Sequence, residues 1–182
     1  TMLGELDRLT RIVEQLLHLS RLDAGMLKAR FAPVLLGAVV EQVKQIYQPA
    51  AEARGVALVA EVEPPGPSVA GIEELLIELL GNLVDNALRH APDGGSVRIE
   101  SASRPEGGVR LAVTDSGKGI PAEFAQAIFD RFAQVPGAET GRAGLGLSLA
   151  AEIARIHGGE LRLVNPGQPG ASFECRWPNC QP

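Results

Sequence analysis

The order of predicted elements indicates a two-layer α/β sandwich preceded by a long amphipathic helix. From about residue 31 onward, segments of alternating apolar residues are interleaved with three segments of helical periodicity, which is typical of a sheet covered by helices. We expect a mixed sheet of about five strands with the three helices on one face. The 182-residue chain is long enough to bury a core of this size.

Residues 1–25 predict one amphipathic helix. Its apolar residues recur at alternating steps of four and three, and they include Met2, Leu6, Leu9, Val13 and Leu16. Such a stripe needs a partner, and the sequence predicts no second long helix of this type. We therefore expect half of a helical bundle, or a bundle completed by another subunit.

The elements of the sandwich follow from periodicity and from Pro and Gly breaks. Strands are expected at 31–35, 56–62, 97–102, 109–114, 160–164 and 171–177. Helices are expected at 37–53, 72–90 and 145–157, with short helical turns around 122–132. The segment Pro105-Glu106-Gly107-Gly108 predicts a hairpin. The inward face of helix 37–53 is expected to carry Val39, Val40, Val43 and Ile46.

Composition and charge exclude several function classes. The net charge of −5 argues against nucleic-acid binding. No apolar run approaches the ~18 residues of a membrane span, so we expect a soluble piece. The two cysteines, Cys175 and Cys180, have no second pair and no histidine nearby, which argues against a disulfide framework or a zinc site and favours a reducing compartment.

Helix 72–90 carries a polar face among its leucines. Asn82 and Asn86 are four residues apart and share a face, and Arg89 and His90 lie one turn beyond. Asparagine is a poor helix former, but amide oxygens suit Mg²⁺ and an arginine suits phosphate. A solvated polar face explains this helix, taken alone, equally well.

Two glycine-rich segments follow. Asp115-Ser116-Gly117-Lys118-Gly119-Ile120 comes directly after a strand, where a carboxylate can accept a hydrogen bond from an exocyclic amine and glycines can admit a flat ring. Gly141-Arg142-Ala143-Gly144-Leu145-Gly146-Leu147 opens a helix, whose free N–H groups favour an anion. An ordinary turn and a flexible loop are the respective alternatives. Neither segment is a P-loop, because no Gly-Lys-Ser/Thr is present.

These three segments in this order, with Ile128-Phe129-Asp130-Arg131-Phe132 between the glycine-rich ones, resemble the N, G1, F and G2 boxes of sensor histidine kinases in the GHKL class of ATPases. The resemblance implies the Bergerat α/β sandwich over 31–178. Residues 1–28, with Leu19-Ser20-Arg21-Leu22-Asp23-Ala24-Gly25, resemble the second helix of the dimerisation and phosphoacceptor hairpin.

The resemblance also implies an activity and its partners. It implies the ATP-binding kinase domain of a bacterial two-component system, which uses ATP, ADP and Mg²⁺ and transfers the γ-phosphoryl group to a histidine for relay to a response-regulator aspartate. The expected partners are a receiver domain, the protein's own phosphoacceptor helix and a second copy in a homodimer. The expected location is the cytoplasmic portion of an inner-membrane protein.

Residue roles carry over by the same resemblance. Asn86 would be the main Mg²⁺ ligand with Asn82 nearby, and these two with Arg89 would form the catalytic set. Asp115 would read the adenine amine. The implied nucleotide-binding residues are Asn82, Asn86, Arg89, His90, Asp115, Gly117, Gly119, Ile120, Phe132, Arg142, Gly144, Leu145, Gly146 and Leu147.

The sequence departs from the family pattern at several points. Phe129 and Phe132 would anchor the base of an ATP lid at 133–143, but Gln134 stands where many members carry an arginine. Arg142-Ala143 replaces Gly-Ser/Thr, so that Arg142 either substitutes electrostatically or is solvated. Leu35-Leu36 replaces a favoured Asp cap.

No histidine lies in the phosphoacceptor context H-E/D-x-R/T-P. His18 is expected to be solvated or interhelical, and His90 belongs to the N box. His157 is expected to be structural, at a helix C-terminus where a cation favours the dipole. The chain is therefore expected to hold the kinase half of the system without its own acceptor.

Other readings from different classes remain open at this point. They are a non-catalytic nucleotide-binding module and a GHKL serine kinase that binds a sigma-factor regulator; the hairpin-like helix argues against the latter. A scaffold without a nucleotide site is disfavoured. Hydrolases of the class usually carry a Glu one turn before the metal-binding Asn. This sequence has Asn82 at that position, and Glu78 lies two turns before Asn86. Phosphotransfer is therefore favoured over hydrolysis.

Overall fold

The computed structural model describes residues 30–63, 66–130 and 145–178. The helix predicted at 1–25 and the lid predicted at 133–143 lie outside the described residues. The strands are β1 Ala32–Leu35, β2 Ala57–Val62, β3 Ser68–Gly71, β4 Ser96–Ser103, β5 Val109–Asp115, β6 Glu160–Leu163 and β7 Ser172–Trp177. The helices are α1 Leu36–Ala53, α2 Glu73–His90 and α3 Gly146–Ile156, with 3₁₀ turns at Ala122–Phe124 and Ala127–Phe129.

Five strands form the main sheet in the order β2-β4-β5-β7-β6. Strands β2 and β4 are parallel and the other neighbours are antiparallel, including the predicted β4–β5 hairpin. Alternate residues of the central strands are buried beneath the helices, namely Val97, Ile99, Leu111, Val113, Phe173 and Cys175. The predicted mixed five-stranded sheet in a two-layer sandwich with three helices is confirmed.

The opposite face of the sheet carries several ion pairs. Arg98 pairs with Glu61 at 3.4 Å, and Arg110 lies between Glu100 at 3.3 Å and Glu174 at 3.4 Å. Cross-strand pairs of opposite charge stabilise a solvated sheet face modestly.

A second sheet has two strands, of which the sequence analysis predicted only β1. Strand β1 pairs antiparallel with β3, which the sequence analysis did not identify. The four residues of β3 lie between Pro67 and the start of α2, and so short a segment has too little alternation to signal a strand.

The prediction that Ile46 faces inward is wrong, because its side chain is 58% exposed. Val39, Val40 and Val43 are buried as predicted. Tyr47 packs against the core in the next turn, so the buried stripe continues about 100° away from Ile46.

Helix α2 is the central helix and packs against both α1 and α3. Its apolar face is buried over its whole length, through Leu75, Leu76, Leu79, Leu80, Leu83, Val84, Ala87 and Leu88. The helix ends before Pro92, which has no N–H group to continue the ladder. Arg54, at the end of α1, donates instead to the Leu88 carbonyl and to the Ala91 carbonyl at 2.8 Å. The end of α2, which carries the predicted metal and phosphate residues, is thereby fixed to α1.

His157 fixes the other end of α2. Its Nε2 accepts a hydrogen bond from the Ile72 N–H at 3.1 Å, and its Nδ1 donates to the Ile153 carbonyl at 2.7 Å. The ring stacks on Phe31, with 5.1 Å between ring centroids. These contacts agree with the expected structural role of His157. Burial lowers the pKa of His157, however, so the ring is a neutral imidazole and not the cation that the sequence analysis expected.

No helix in the described parts of the chain is both long and apolar enough to cross a membrane.

Candidate nucleotide site

Asp115 is the most constrained polar residue at the predicted site. It ends strand β5 and is 4% exposed. Its Oδ1 accepts hydrogen bonds from the Gly117 N–H at 2.7 Å and the Ala171 N–H at 3.2 Å. Its Oδ2 is buried and has no partner in the described structure. Burial raises the pKa of Asp115, although the two N–H donors and nearby His90 oppose this shift. The carboxylate therefore holds one oxygen fixed and offers the other to a donor.

The glycines after Asp115 are required by close contacts. A Cβ on Gly117 would lie 2.5 Å from the carbonyl oxygen of His90, so the end of α2 lies directly against this loop. Gly119 has a φ of +79°, and a Cβ there would collide with the carbonyl of Gln168. Ile120 packs against the core, and its carbonyl accepts the Gly167 N–H at 2.7 Å.

The loop between β6 and β7 forms the wall behind these residues. The Gly170 N–H donates to the Gly117 carbonyl at 2.7 Å, and the Asp115 N–H donates to the Ala171 carbonyl at 3.0 Å. The side chain of Asn165 bonds both to the Gly170 carbonyl and to the Ser172 N–H. The sequence analysis missed Asn165, Gly170 and Ala171. The turn-rich run Asn165-Pro166-Gly167-Gln168-Pro169-Gly170 indicated a loop, but nothing in it indicated which loop it would contact.

The two asparagines of α2 face the same side of the helix. Asn82 donates through Nδ2 to the Glu78 carbonyl at 2.9 Å, which leaves its Oδ1 as the free acceptor. That oxygen lies 3.2 Å from where a Cβ on Gly146 would be, so it faces the start of α3. Asn86 lies one turn further on and is half-buried.

The amide oxygens of Asn82 and Asn86 fit a magnesium ion, although protein atoms alone do not complete its coordination shell. Within the described residues, no group of three or more His, Cys, Asp or Glu side chains could hold a metal. Mg²⁺ usually takes only one or two protein oxygens and completes its shell with water and phosphate. Amide oxygens on one helix face, close to a helix N-terminus, fit that mode of binding.

The remaining predicted residues of α2 and α3 are placed as follows. Arg89 forms an i,i+4 ion pair with Asp85 at 3.2 Å, and His90 is exposed at the end of the helix. Leu145 is buried just before α3, and Leu147 packs partly against the core. Phe129 packs edge-on against Phe173, in keeping with a structural role. Phe132, Arg142 and Gly144 lie outside the described residues, as do Gln134 and Ala143.

The structure thus brings four predicted features to one place. The end of α2 lies against the glycine loop, the buried carboxylate of Asp115 lies at the base of that loop, and Asn82 faces the start of α3 at Gly146. These features are separated by up to 64 positions in the sequence.

Comparison with known proteins agrees with the family that the sequence motifs resemble. Residues 71–181 match the family model described as histidine kinase-, DNA gyrase B-, and HSP90-like ATPase. The chain is 40% identical over 171 residues to the alginate biosynthesis sensor protein KinB of Pseudomonas aeruginosa, covering 93% of this chain and 28% of that protein. It is 36% identical over 179 residues to the sensor protein kinase PmrB of the same species, covering 97% of this chain and 37% of that protein. The chain therefore spans well under half the length of these relatives.

Solved structures agree with the fold. Full-length ShkA in complex with AMPPNP superposes with a TM-score of 0.80 at 28% identity, covering 94% of this chain and 36% of that one. The histidine kinase ThkA in complex with the response regulator protein TrrA gives 0.76 at 26% identity, covering 96% and 48%. Because the family model matches more than half of the chain, the chain belongs to the histidine kinase-, DNA gyrase B- and HSP90-like ATPases, and within them it is an ATP-binding catalytic domain of the sensor histidine kinase type.

Proposed function

We propose that this domain binds ATP with Mg²⁺ and transfers the γ-phosphoryl group to a histidine on the dimerisation hairpin of a sensor kinase, for relay to a response-regulator aspartate. The observation that carries the proposal is the buried, unpartnered Oδ2 of Asp115 beside two glycines that a side chain could not replace. A buried carboxylate oxygen without a donor is costly, by roughly 1–3 kcal/mol or more. The 6-amino group of adenine would supply the missing donor.

The phosphates are expected at the other end of the site, between α2 and α3. Asn86 and Asn82 would hold the metal ion through their amide oxygens, and Arg89 would donate to phosphate oxygens. A bound Mg²⁺ would neutralise phosphate charge and fix the orientation of the terminal phosphoryl group. The N–H groups at the start of α3, from Gly146 onward, would favour the same anionic groups, and the family resemblance assigns Gly144 to this role as well.

Phosphoryl transfer requires little covalent chemistry from the protein. The bond from the γ-phosphorus to the β,γ-bridging oxygen breaks while a bond forms to a ring nitrogen of the acceptor histidine, and ADP leaves. A neutral imidazole is already nucleophilic, so the chain's residues need only bind, orient and stabilise charge. Asn82 occupies the position where hydrolases of the class carry a glutamate, and its Nδ2 is engaged with the Glu78 carbonyl. An amide cannot take a proton from water, which favours transfer to histidine over hydrolysis.

We also propose the division of the chain into residues 1–28, from the hairpin's second helix, and residues 31–178, the catalytic domain. The alignment with PmrB covers 97% of the chain, and residues 31–182 are less than nine-tenths of it. The similarity to sensor kinases therefore reaches into the N-terminal segment. We expect dimerisation through that segment, a receiver domain as partner, and a location on the cytoplasmic side of a membrane-attached kinase. The partnership is supported by the ThkA–TrrA complex.

The proposal is tested first by calorimetric titration with ADP and a non-hydrolysable ATP analogue, with and without Mg²⁺. We expect saturable one-site binding that is strengthened by Mg²⁺. A Gln42→Ala variant, changed on the exposed face of α1, serves as the control and should bind equally well. Absence of binding by folded protein would refute the nucleotide assignment.

The second test supplies a separately produced dimerisation hairpin with its acceptor histidine and labelled ATP. We expect acid-labile phosphate on the hairpin and little steady-state release of inorganic phosphate. Binding without transfer to any supplied hairpin would favour the non-catalytic module. Rapid hydrolysis without transfer would instead favour an ATPase.

A further inference from the structure

Asn165 closes the loop between β6 and β7 with two side-chain hydrogen bonds. Its Nδ2 donates to the Gly170 carbonyl at 2.9 Å, and its Oδ1 accepts the Ser172 N–H at 2.8 Å. The side chain is half-buried. These two bonds bracket Ala171 and fix the backbone on both sides of it.

Gly170 and Ala171, whose backbone Asn165 holds, contact Asp115 and the glycine-rich loop that follows it. The Gly170 N–H donates to the Gly117 carbonyl, and the Ala171 N–H donates to Oδ1 of Asp115. A third bond joins the Asp115 N–H to the Ala171 carbonyl. The orientation of the Asp115 carboxylate therefore depends on where the β6–β7 loop places two peptide groups.

We propose that Asn165 is a positioning residue for base recognition, which holds Gly170 and Ala171 so that Oδ2 of Asp115 faces the base and thereby sets the preference for adenine over guanine. This inference rests on the proposed function. It assigns to Asn165 no contact with the nucleotide and no part in phosphoryl transfer.

The preference follows from hydrogen-bond chemistry at the base. Adenine presents an amine to the carboxylate, whereas guanine presents a carbonyl oxygen at the corresponding position and would be repelled. A carboxylate held by two N–H donors cannot turn away from that repulsion. When the Ala171 donor is no longer held in place, the carboxylate can rotate, so it binds adenine less well and rejects guanine less strongly.

The test compares ADP and GDP affinity in the parent chain, in Asn165→Ala and in the isosteric Asn165→Asp. Asp at this position keeps the acceptor for Ser172 but puts a carboxylate oxygen against the Gly170 carbonyl. We expect each variant to lose about tenfold in ADP affinity with a much smaller change for GDP, so the ratio of the two affinities falls about tenfold. The control is Leu58→Val in β2, at the opposite edge of the sheet, which should lower stability and leave the ratio unchanged.

A second measurement needs no nucleotide. The pKa of Asp115, followed through its carboxyl carbon by NMR, should rise further in Asn165→Ala, because the Ala171 N–H donor, which opposes its upward shift, is no longer held in place. The control variant should leave this pKa unchanged. His90, which also acts on Asp115, can be followed in the same titration.

The outcomes separate the two proposals. An equal loss of ADP and GDP affinity, or an unchanged pKa of Asp115, would reduce Asn165 to a purely structural residue and overturn the inference. Absence of nucleotide binding in the parent chain would overturn the proposed function, whereas the carboxyl titration would still decide whether Asn165 orients Asp115. If Asn165→Ala fails to fold, the ratio of ADP to GDP affinity in Asn165→Asp, which keeps the side-chain volume, decides whether Asn165 acts on base preference.

Discussion

Replacing Asp115 by asparagine separates base recognition from folding. The change is nearly isosteric, and Oδ1 keeps its two N–H donors from Gly117 and Ala171. Those donors fix the amide so that its NH₂ group takes the place of the unpartnered Oδ2. The adenine amine would then face a donor instead of an acceptor.

The expected loss can be estimated from that single contact. A hydrogen bond to a charged acceptor contributes about 1.5–3 kcal/mol, which corresponds to a loss of about 10- to 150-fold in ADP affinity. Stability should change in the other direction. Because burial raises the pKa of Asp115 above its usual value, ionisation of this group lowers stability as pH rises through the folded-state pKa. Asp115→Asn replaces an unpartnered charged group by an unpartnered neutral one, which costs less, so the melting temperature near neutral pH should stay equal or increase.

The assay is titration calorimetry with ADP and GDP, combined with thermal unfolding of both proteins without ligand. Weaker ADP binding with an unchanged or higher melting temperature is the expected pattern. ADP affinity within twofold of the parent would refute the assignment of Asp115 to the base. A large fall in melting temperature would refute the argument that its carboxylate is destabilising in the free protein.

Three further changes test other parts of the molecule. Asn86→Ala should remove most of the Mg²⁺ dependence of ADP binding while leaving adenosine binding intact, as measured by titration with and without the metal. Arg54→Ala should lower the free energy of unfolding by about 2 kcal/mol in urea, because the two carbonyls at the end of α2 lose their donor, and Arg54→Lys should restore only part of it. The neutral His157 should make stability fall as pH drops below about 6.5, since its folded-state pKa is lowered, and His157→Gln should remove that slope.

For each of these three predictions, a specific result would contradict it. Unchanged Mg²⁺ dependence in Asn86→Ala would remove that residue from the metal site. Equal stability of Arg54→Ala and the parent would mean that water satisfies the end of α2. An equal pH dependence of stability in His157→Gln and the parent between pH 5 and 6.5 would show that His157 is not protonated on unfolding in that range.

The sequence predicted the main sheet and its helices well because these elements are long and strongly patterned. Strand β4 alternates buried and less buried residues, β5 and β7 bury an apolar residue at every second position, and α2 buries a continuous leucine face. Asp115 could be proposed as a base-recognition residue because the chemistry that suggests it is local, a carboxylate at a strand end followed by glycines. The short strand β3 and the exposed Ile46 had no comparable local signal, since pairing and helix rotation depend on what packs alongside.

The contacts that orient the site could not be read from the sequence. The bond between Ile72 and His157 spans 85 positions, and those from Arg54 to the end of α2 span 34 and 37. Which residues meet at such separations depends on the completed topology. The role of Asn165 could not be predicted either, although its two hydrogen bonds reach only five and seven positions along the chain. Their effect on Asp115 arises only where the β6–β7 loop meets the loop after β5.

Unsatisfied buried atoms are not by themselves evidence of a ligand site. Four side-chain atoms in the described residues are buried without a partner, and three of them, in Gln48, Ser101 and Trp177, belong to neutral groups. Only Asp115 is ionisable, and it lies at the end of β5 against the backbone of Gly117. A neutral orphan costs about 1–3 kcal/mol, whereas a charged one costs more, so the charged group has the greater need of a donor. A ligand that supplies this donor only in the folded state stabilises the fold, by about 2.7 kcal/mol at a concentration of 100 times Kd. The same atom therefore lowers the stability of the empty domain and favours the nucleotide-bound one.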